Sequence, residues 1–227
     1  MSGSILHLVL ETPDCDSLDL LRKGTEDDSP PPLFVLPPEM RNTQEEDIHW
    51  AFEKQAGIFD LFLDNLSEGT EVFFFLSYQI DLADQIEATV QFLEENQMLQ
   101  MGRFLLFTHA PLLLNPPTHF LDWLDAAAHF TDSMLFTGRN NENSSAIKAI
   151  QDRYFDMRFP MESFILGKKT APWSRILDPT PRRLSHIFDS PELLEPDDLH
   201  HNDRYLERIS TGERARKVPL IFNFFNF

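Results

Sequence analysis

The run Val72 to Leu76 reads Val-Phe-Phe-Phe-Leu, apolar throughout and without polar alternation. A strand of this kind has to be covered on both faces, which is the situation inside a parallel sheet flanked by helices. Similar short runs recur at Ser4 to Leu10, Leu33 to Leu36, Phe104 to Phe107, Asp132 to Thr137 and Met161 to Leu166. Between several of them the apolar spacing becomes helical. Leu82, Ile86, Val90 and Leu93 step by four and three after Asp81, a ready helix cap, and further helices are expected over Asp16 to Lys23, Thr118 to Phe130 and Asn143 to Phe155. Strands alternating with helices, with no hairpin turns between neighbours, predict an α/β fold: a doubly wound, mostly parallel sheet of about five to six strands. The segment Thr43-Gln-Glu-Glu46 has the form of a capping box. With Ile48, Ala51, Phe52, Phe59, Phe62 and Leu63 behind it, it predicts one amphipathic helix loosened at Gly57 and ending near Leu66. The prolines around Leu33 to Leu36 place that brief strand at an edge.

Beyond Gly167 the periodicity fades and prolines at 172, 179, 181, 191 and 196 punctuate the chain. Two regions are therefore expected: residues 1–167 as the α/β domain, and 168–227 as an extended C-terminal arm on the body or on a partner. Within the arm, Pro191 to Leu194 reads as a helical turn. Val218 to Phe227 reads as a terminal strand or as a hydrophobic segment that adds to a sheet edge of a partner.

Charge narrows the choice of partners. The net charge is −18, and residues 1 to 157 hold 27 acidic against 8 basic side chains. Nucleic acid needs a basic surface to displace its counterions, so it is excluded as a partner. No apolar run approaches the roughly 20 residues that span a bilayer, so no membrane partner is expected. The single cysteine, Cys15, allows no internal disulfide, and the N-terminus reads as leaderless, so the expected compartment is the cytoplasm.

The middle of the chain resembles the CobW-like branch of P-loop GTPases. In Val72 to Leu93 an apolar strand runs into a turn and helix, with Ser77 and Leu82-Ala83-Asp84 matching the family's Ser-Gly-Leu-Ala-Asp-Pro-like segment. Met101 to Leu114 is similar to the next strand, with His109-Ala110 where the family has Val-Asp-Ala. Ala126 to Asn143 is similar to the strand that leads to the Asn-Lys-x-Asp guanine reader, through Phe130, Asp132 and Leu135. The resemblance implies a P-loop-NTPase-like sheet. Its departures concern chemistry. A loop that grips phosphate needs glycines, a lysine, and a serine or threonine for magnesium. After the first strand the chain instead has Glu11-Thr-Pro-Asp-Cys-Asp16, with three carboxylates and no glycine. Phe74, Phe75 and Leu76 stand where a metal-side carboxylate belongs, and Thr137-Gly138-Arg139-Asn140 replaces the guanine reader.

The expectation is a non-catalytic, CobW-like pseudo-GTPase with no catalytic residues and no cofactor. It would act as a protein-interaction or assembly module, paired with itself as a homo-oligomer or with an intact GTPase relative. Two alternatives accompany it. One is a small-molecule-binding protein or enzyme with a pocket at the carboxyl ends of the strands. Asp84, His109 and His119 are its candidate residues, the two histidines flanking the Pro111 to Pro117 loop. The other is a metal-binding chaperone using Asp198, His200 and His201 in the Asp197 to Asp203 tract. Asp14 and Asp16 resemble the paired aspartates of phosphate-transferring enzymes, although a helix cap is the simpler role for Asp16. Arg182 and Arg183 are placed to dock the arm on acidic side chains of the body.

Overall fold

The computed structural model describes residues 3–40, 44, 46–63, 66–167, 171–189, 192, 194–195 and 203–221. Its centre is a seven-stranded parallel sheet in the order β3-β2-β6-β1-β7-β8-β9. The strands are β1 (Ser4–Glu11), β2 (Leu33–Leu36), β3 (Ile48–His49), β6 (Glu71–Phe75), β7 (Leu99–His109), β8 (Ser133–Thr137) and β9 (Glu162–Ile165). The sheet thus has one strand more than the five to six expected. The extra strand is the two-residue β3, too short to leave a periodic signal. It caps the edge beside β2, so Leu33–Leu36 lies one place inside the edge predicted from its prolines.

Alternate residues of the apolar runs enter two separate cores, as the two-residue period of a strand demands. Leu8, Leu10, Phe74, Leu106 and Phe136 face helices α2 (Leu82–Glu95), α3 (Phe120–Phe130) and α4 (Ser144–Asp156). Val9, Phe73, Phe75, Leu105 and Leu135 face α1 (Ser17–Gly24) and the short α5 (Trp173–Ile176). The Asp81 carboxylate caps α2, accepting from the amides of Ala83 and Asp84 at 2.9 and 3.3 Å. Asp16 occupies the corresponding position before α1 but does not cap it. Its φ is +52°, in the left-handed region, and its side chain makes no capping hydrogen bond.

Among the described residues of 43–66, the predicted helix is absent. Thr43 of the supposed capping box lies outside the described residues. Behind it, β4 (Ala51–Glu53) and β5 (Ile58–Asp60) form an antiparallel hairpin. Aromatic residues made both patterns available, and tertiary packing decides between them. Trp50 is buried, stacks on Phe74 at 6.0 Å between ring centroids, and donates its indole N–H to the Phe75 carbonyl at 2.8 Å. Phe59 meets Phe74 edge-on at 4.8 Å. Gly57, at φ +69°, supplies the turn, and Phe62, expected on the buried stripe, is 82% exposed.

The described part of the arm packs on the body. Ile176, Leu177, Ile187, Tyr205, Val218 and Ile221 are buried. Arg183 bonds the buried Asp132 carboxylate at 3.1 Å, and Arg182 reaches Glu162 at 3.4 Å. Arg214 clasps Asp84 and Glu87 of α2 at 2.8 and 2.6 Å. Residues 191 and 193 of the expected helical turn, and 222–227 of the terminal segment, lie outside the described residues. No helix among the described residues is long and apolar enough to cross a membrane.

Candidate functional site

In open parallel sheets the ligand crevice lies beyond the carboxyl ends of the strands, where successive connections leave in opposite directions. From β1 the chain runs to β2 on one side, and from β6 it crosses β1 to reach β7 on the other. A cavity of about 550 Å³ lies at that end of the sheet. Asp14, Cys15 and Asp16 of the loop after β1 line it, with Lys23 of α1 beside them. His109 and Thr137 enter from the ends of β7 and β8. Trp173, at the start of α5, forms a further wall and packs closely on α1. A Cβ on Gly24 would lie 2.0 Å from its indole nitrogen. Gly138 is held at φ +63° against His109, whose ring would lie 2.8 Å from an added Cβ.

The loop after β1 is fastened by its own side chains. The Thr12 hydroxyl accepts from the His109 amide at 2.8 Å and lies 3.3 Å from the Cys15 sulfur. The His109 Nδ1 lies 3.4 Å from the Thr137 hydroxyl, so the ends of β1, β7 and β8 share one small polar cluster. Asp14 and Asp16 both take positive φ, +63° and +52°, conformations that usually select glycine. At the first residue of α1, the Ser17 hydroxyl turns back and donates to the Glu11 carboxylate.

Burial governs the chemistry of these groups. It pushes the Glu11 carboxyl up to about 7 against the hydrogen bond from Ser17, and the nearby Asp16 and Glu39 add to the rise. Burial also drives the Cys15 thiol up to about 12, which suppresses a nucleophilic thiolate. Glu11 was counted in the sequence only as one of three repelling carboxylates. Its raised pKa depends on enclosure, which nothing in its neighbours along the chain signals.

The end of β6 is closed. The Ser77 amide and carbonyl are both taken by the Gln85 side chain, at 2.7 and 2.8 Å, and the Ser77 hydroxyl donates to Glu39. The loop after β8 is likewise self-contained, with the Asn143 amide group donating to the Gly138 carbonyl at 3.0 Å and accepting from the Asn140 N–H at 2.8 Å.

Of the three pocket residues proposed from the sequence, His109 lines this cavity; Asp84 and His119 do not. Asp84 lies on α2 in the ion pairs with Arg214 and Arg208 that hold the arm. His119 is solvent-exposed before α3, with its Nδ1 2.9 Å from Asp122. Asp198, His200 and His201 lie outside the described residues. Among the described residues, no group of three or more His, Cys, Asp or Glu side chains is placed to hold a metal ion.

No protein-family model and no curated protein matches the chain. A solved structure does: the Zn(II)-bound YjiA GTPase from E. coli, with a TM-score of 0.55 over 80% of this chain. The mostly parallel α/β sheet with its flanking helices is of the P-loop-NTPase-like type. At 11% identity the likeness concerns the fold alone, and this chain spans 63% of the length of that one.

Proposed function

We propose that this chain is a pseudo-GTPase: a CobW-like fold that does not bind or hydrolyse GTP and serves as a protein-interaction or assembly module. The observation that carries the reading is the loop after β1. Glu11, Asp14 and Asp16 crowd it, and the Ser17 hydroxyl is committed to Glu11. A polyphosphate here would meet carboxylates on a loop that has no glycine to let amides converge, with Lys23 of α1 the one lysine among the described residues of the cavity wall. Phosphoryl transfer depends on positioned charge and has little else to replace it. The self-bonded ends of β6 and β8 support the same reading, because their backbone groups are spent on the Gln85 and Asn143 side chains. The partner is then a second copy of the chain or an intact GTPase relative.

Thermal denaturation with GTP, GDP or ATP plus magnesium tests this. A ligand that binds only the folded chain at 100 times its Kd stabilises it by about 2.7 kcal/mol. No shift in melting temperature is expected with any of the three, and a clear stabilisation would overturn the reading.

A second reading has its own support, the cavity of about 550 Å³ lined by Asp14, Lys23 and His109. A pocket of this size and position suits a small molecule. A neutral or cationic ligand that stabilises the protein, and loses that effect in His109→Ala, would favour it.

A further inference from the structure

The sheet ends at β9, and among the described residues no strand pairs with its outer side. The amides of Glu162 and Leu166 donate inward, to the carbonyls of Asp132 and Phe136. Strand geometry therefore turns the N–H and C=O of Ser163 and Ile165 outward. Exposed edges of this kind are pairing templates that proteins ordinarily cover or charge. Above this edge, between β9 and α4, runs a groove of about 280 Å³. Met134, Phe136, Phe159 and Met161 line it, and Phe155 stands at its rim 81% exposed, with Met157 41% exposed nearby. Gln151, Asp152 and Ser163 complete the lining, the Gln151 side chain donating to the Ser163 hydroxyl at 2.8 Å, so the groove offers an apolar floor with a polar margin.

We infer that this face is a self-association surface, on which a second copy of the chain pairs β9 with β9 in antiparallel fashion. The inference rests on the reading of the protein as an assembly module and names its partner and surface. The charge distribution selects a second copy. In a chain of net charge −18, two copies repel through most of their surfaces. On and beside this face the charges are already matched: Lys148 pairs with Asp152, Arg153 with Asp125, and Glu162 with Arg175 and Arg182, while Asp156 and Arg158 are of opposite sign. A neutral face with both signs interspersed is complementary to itself under a two-fold rotation and offers little to a strongly acidic or basic partner. An antiparallel pair centred on Phe164 sets Ser163 opposite Ile165 of the other copy, where each pair exchanges both backbone hydrogen bonds. The same rotation lays the two α4 helices side by side on one face of the continuous sheet. Phe155 and the groove are then withdrawn from water.

Light scattering after size-exclusion chromatography, together with sedimentation equilibrium, tests this on the full-length chain. The wild type is expected at the mass of two chains. Phe155→Glu, at an exposed position that leaves the core intact, is expected to weaken self-association at least about tenfold, as loss of a central aromatic does. Ser163→Pro removes an outward N–H while sparing the bonds to β8, and is expected to do the same with an unchanged melting transition at low concentration. Raising salt from about 0.05 to about 0.5 M is expected to strengthen the dimer, because it screens the repulsion between two acidic chains. A wild type that stays monomeric overturns the inference, as does a dimer of undiminished affinity in both variants. Neither result touches the nucleotide test, and a dimer that GTP also stabilises would sustain this surface while removing the pseudo-GTPase reading.

Discussion

Glu11 closes β1 with a carboxyl raised by burial from 4.5 to about 7. Between those two values the folded chain keeps a proton that the unfolded chain has released. The contribution of Glu11 therefore falls as pH rises through this window, and the penalty is complete above pH 7. The shift corresponds to a penalty on the order of 3 kcal/mol. Glu11→Gln keeps an acceptor for Ser17 and removes the charge. The variant should match the wild type near pH 5 and be the more stable of the two near pH 8, by urea denaturation at both values. Parallel pH profiles would show that solvent reaches the carboxylate after all. The acidity of this loop was legible in Glu11, Asp14 and Asp16, but its consequences were not. The Ser17 to Glu11 bond, the left-handed Asp14 and Asp16, and the Trp173 wall depend on residues meeting from separate elements.

The elements divide along the same line. Six strands and four main helices were visible because unbroken apolar runs and steps of three and four survive without tertiary context, and Asp81 announced α2. The β4–β5 hairpin was misread as a helix because Ile48, Ala51, Phe52, Phe59, Phe62 and Leu63 fit helical spacing as well as strand spacing. What separates the two is a contact that spacing along the chain does not reveal, the Trp50 indole on the Phe75 carbonyl. Trp50→Phe keeps most of the stacking on Phe74 and removes that donor from a buried carbonyl. The loss should be about 1–3 kcal/mol in urea unfolding, the cost of an unsatisfied buried group. A loss within experimental error would mean that water or a shifted backbone satisfies Phe75, and that packing alone holds the hairpin.

For the whole molecule, the decisive contacts are those that tie the last quarter of the chain to the sheet. Asp132 is fully buried, accepts from the Phe104 amide at 2.8 Å, and faces Arg183, whose side chain is 2% exposed. Arg183→Met leaves that carboxylate without its countercharge and should cost about 3–5 kcal/mol. Asp132→Asn in the same background should recover part of the loss, and a strictly additive double variant would argue that the two groups act independently. Arg214 and Arg208 repeat the arrangement at Asp84 and Glu87 on the opposite side of the sheet from α5, so the arm grips both layers. Trp173 then sets an order in time. The ribosome delivers every strand of the sheet before it delivers the indole that closes against Gly24. A nascent chain therefore has every described strand of the sheet before it gains this wall of the pocket.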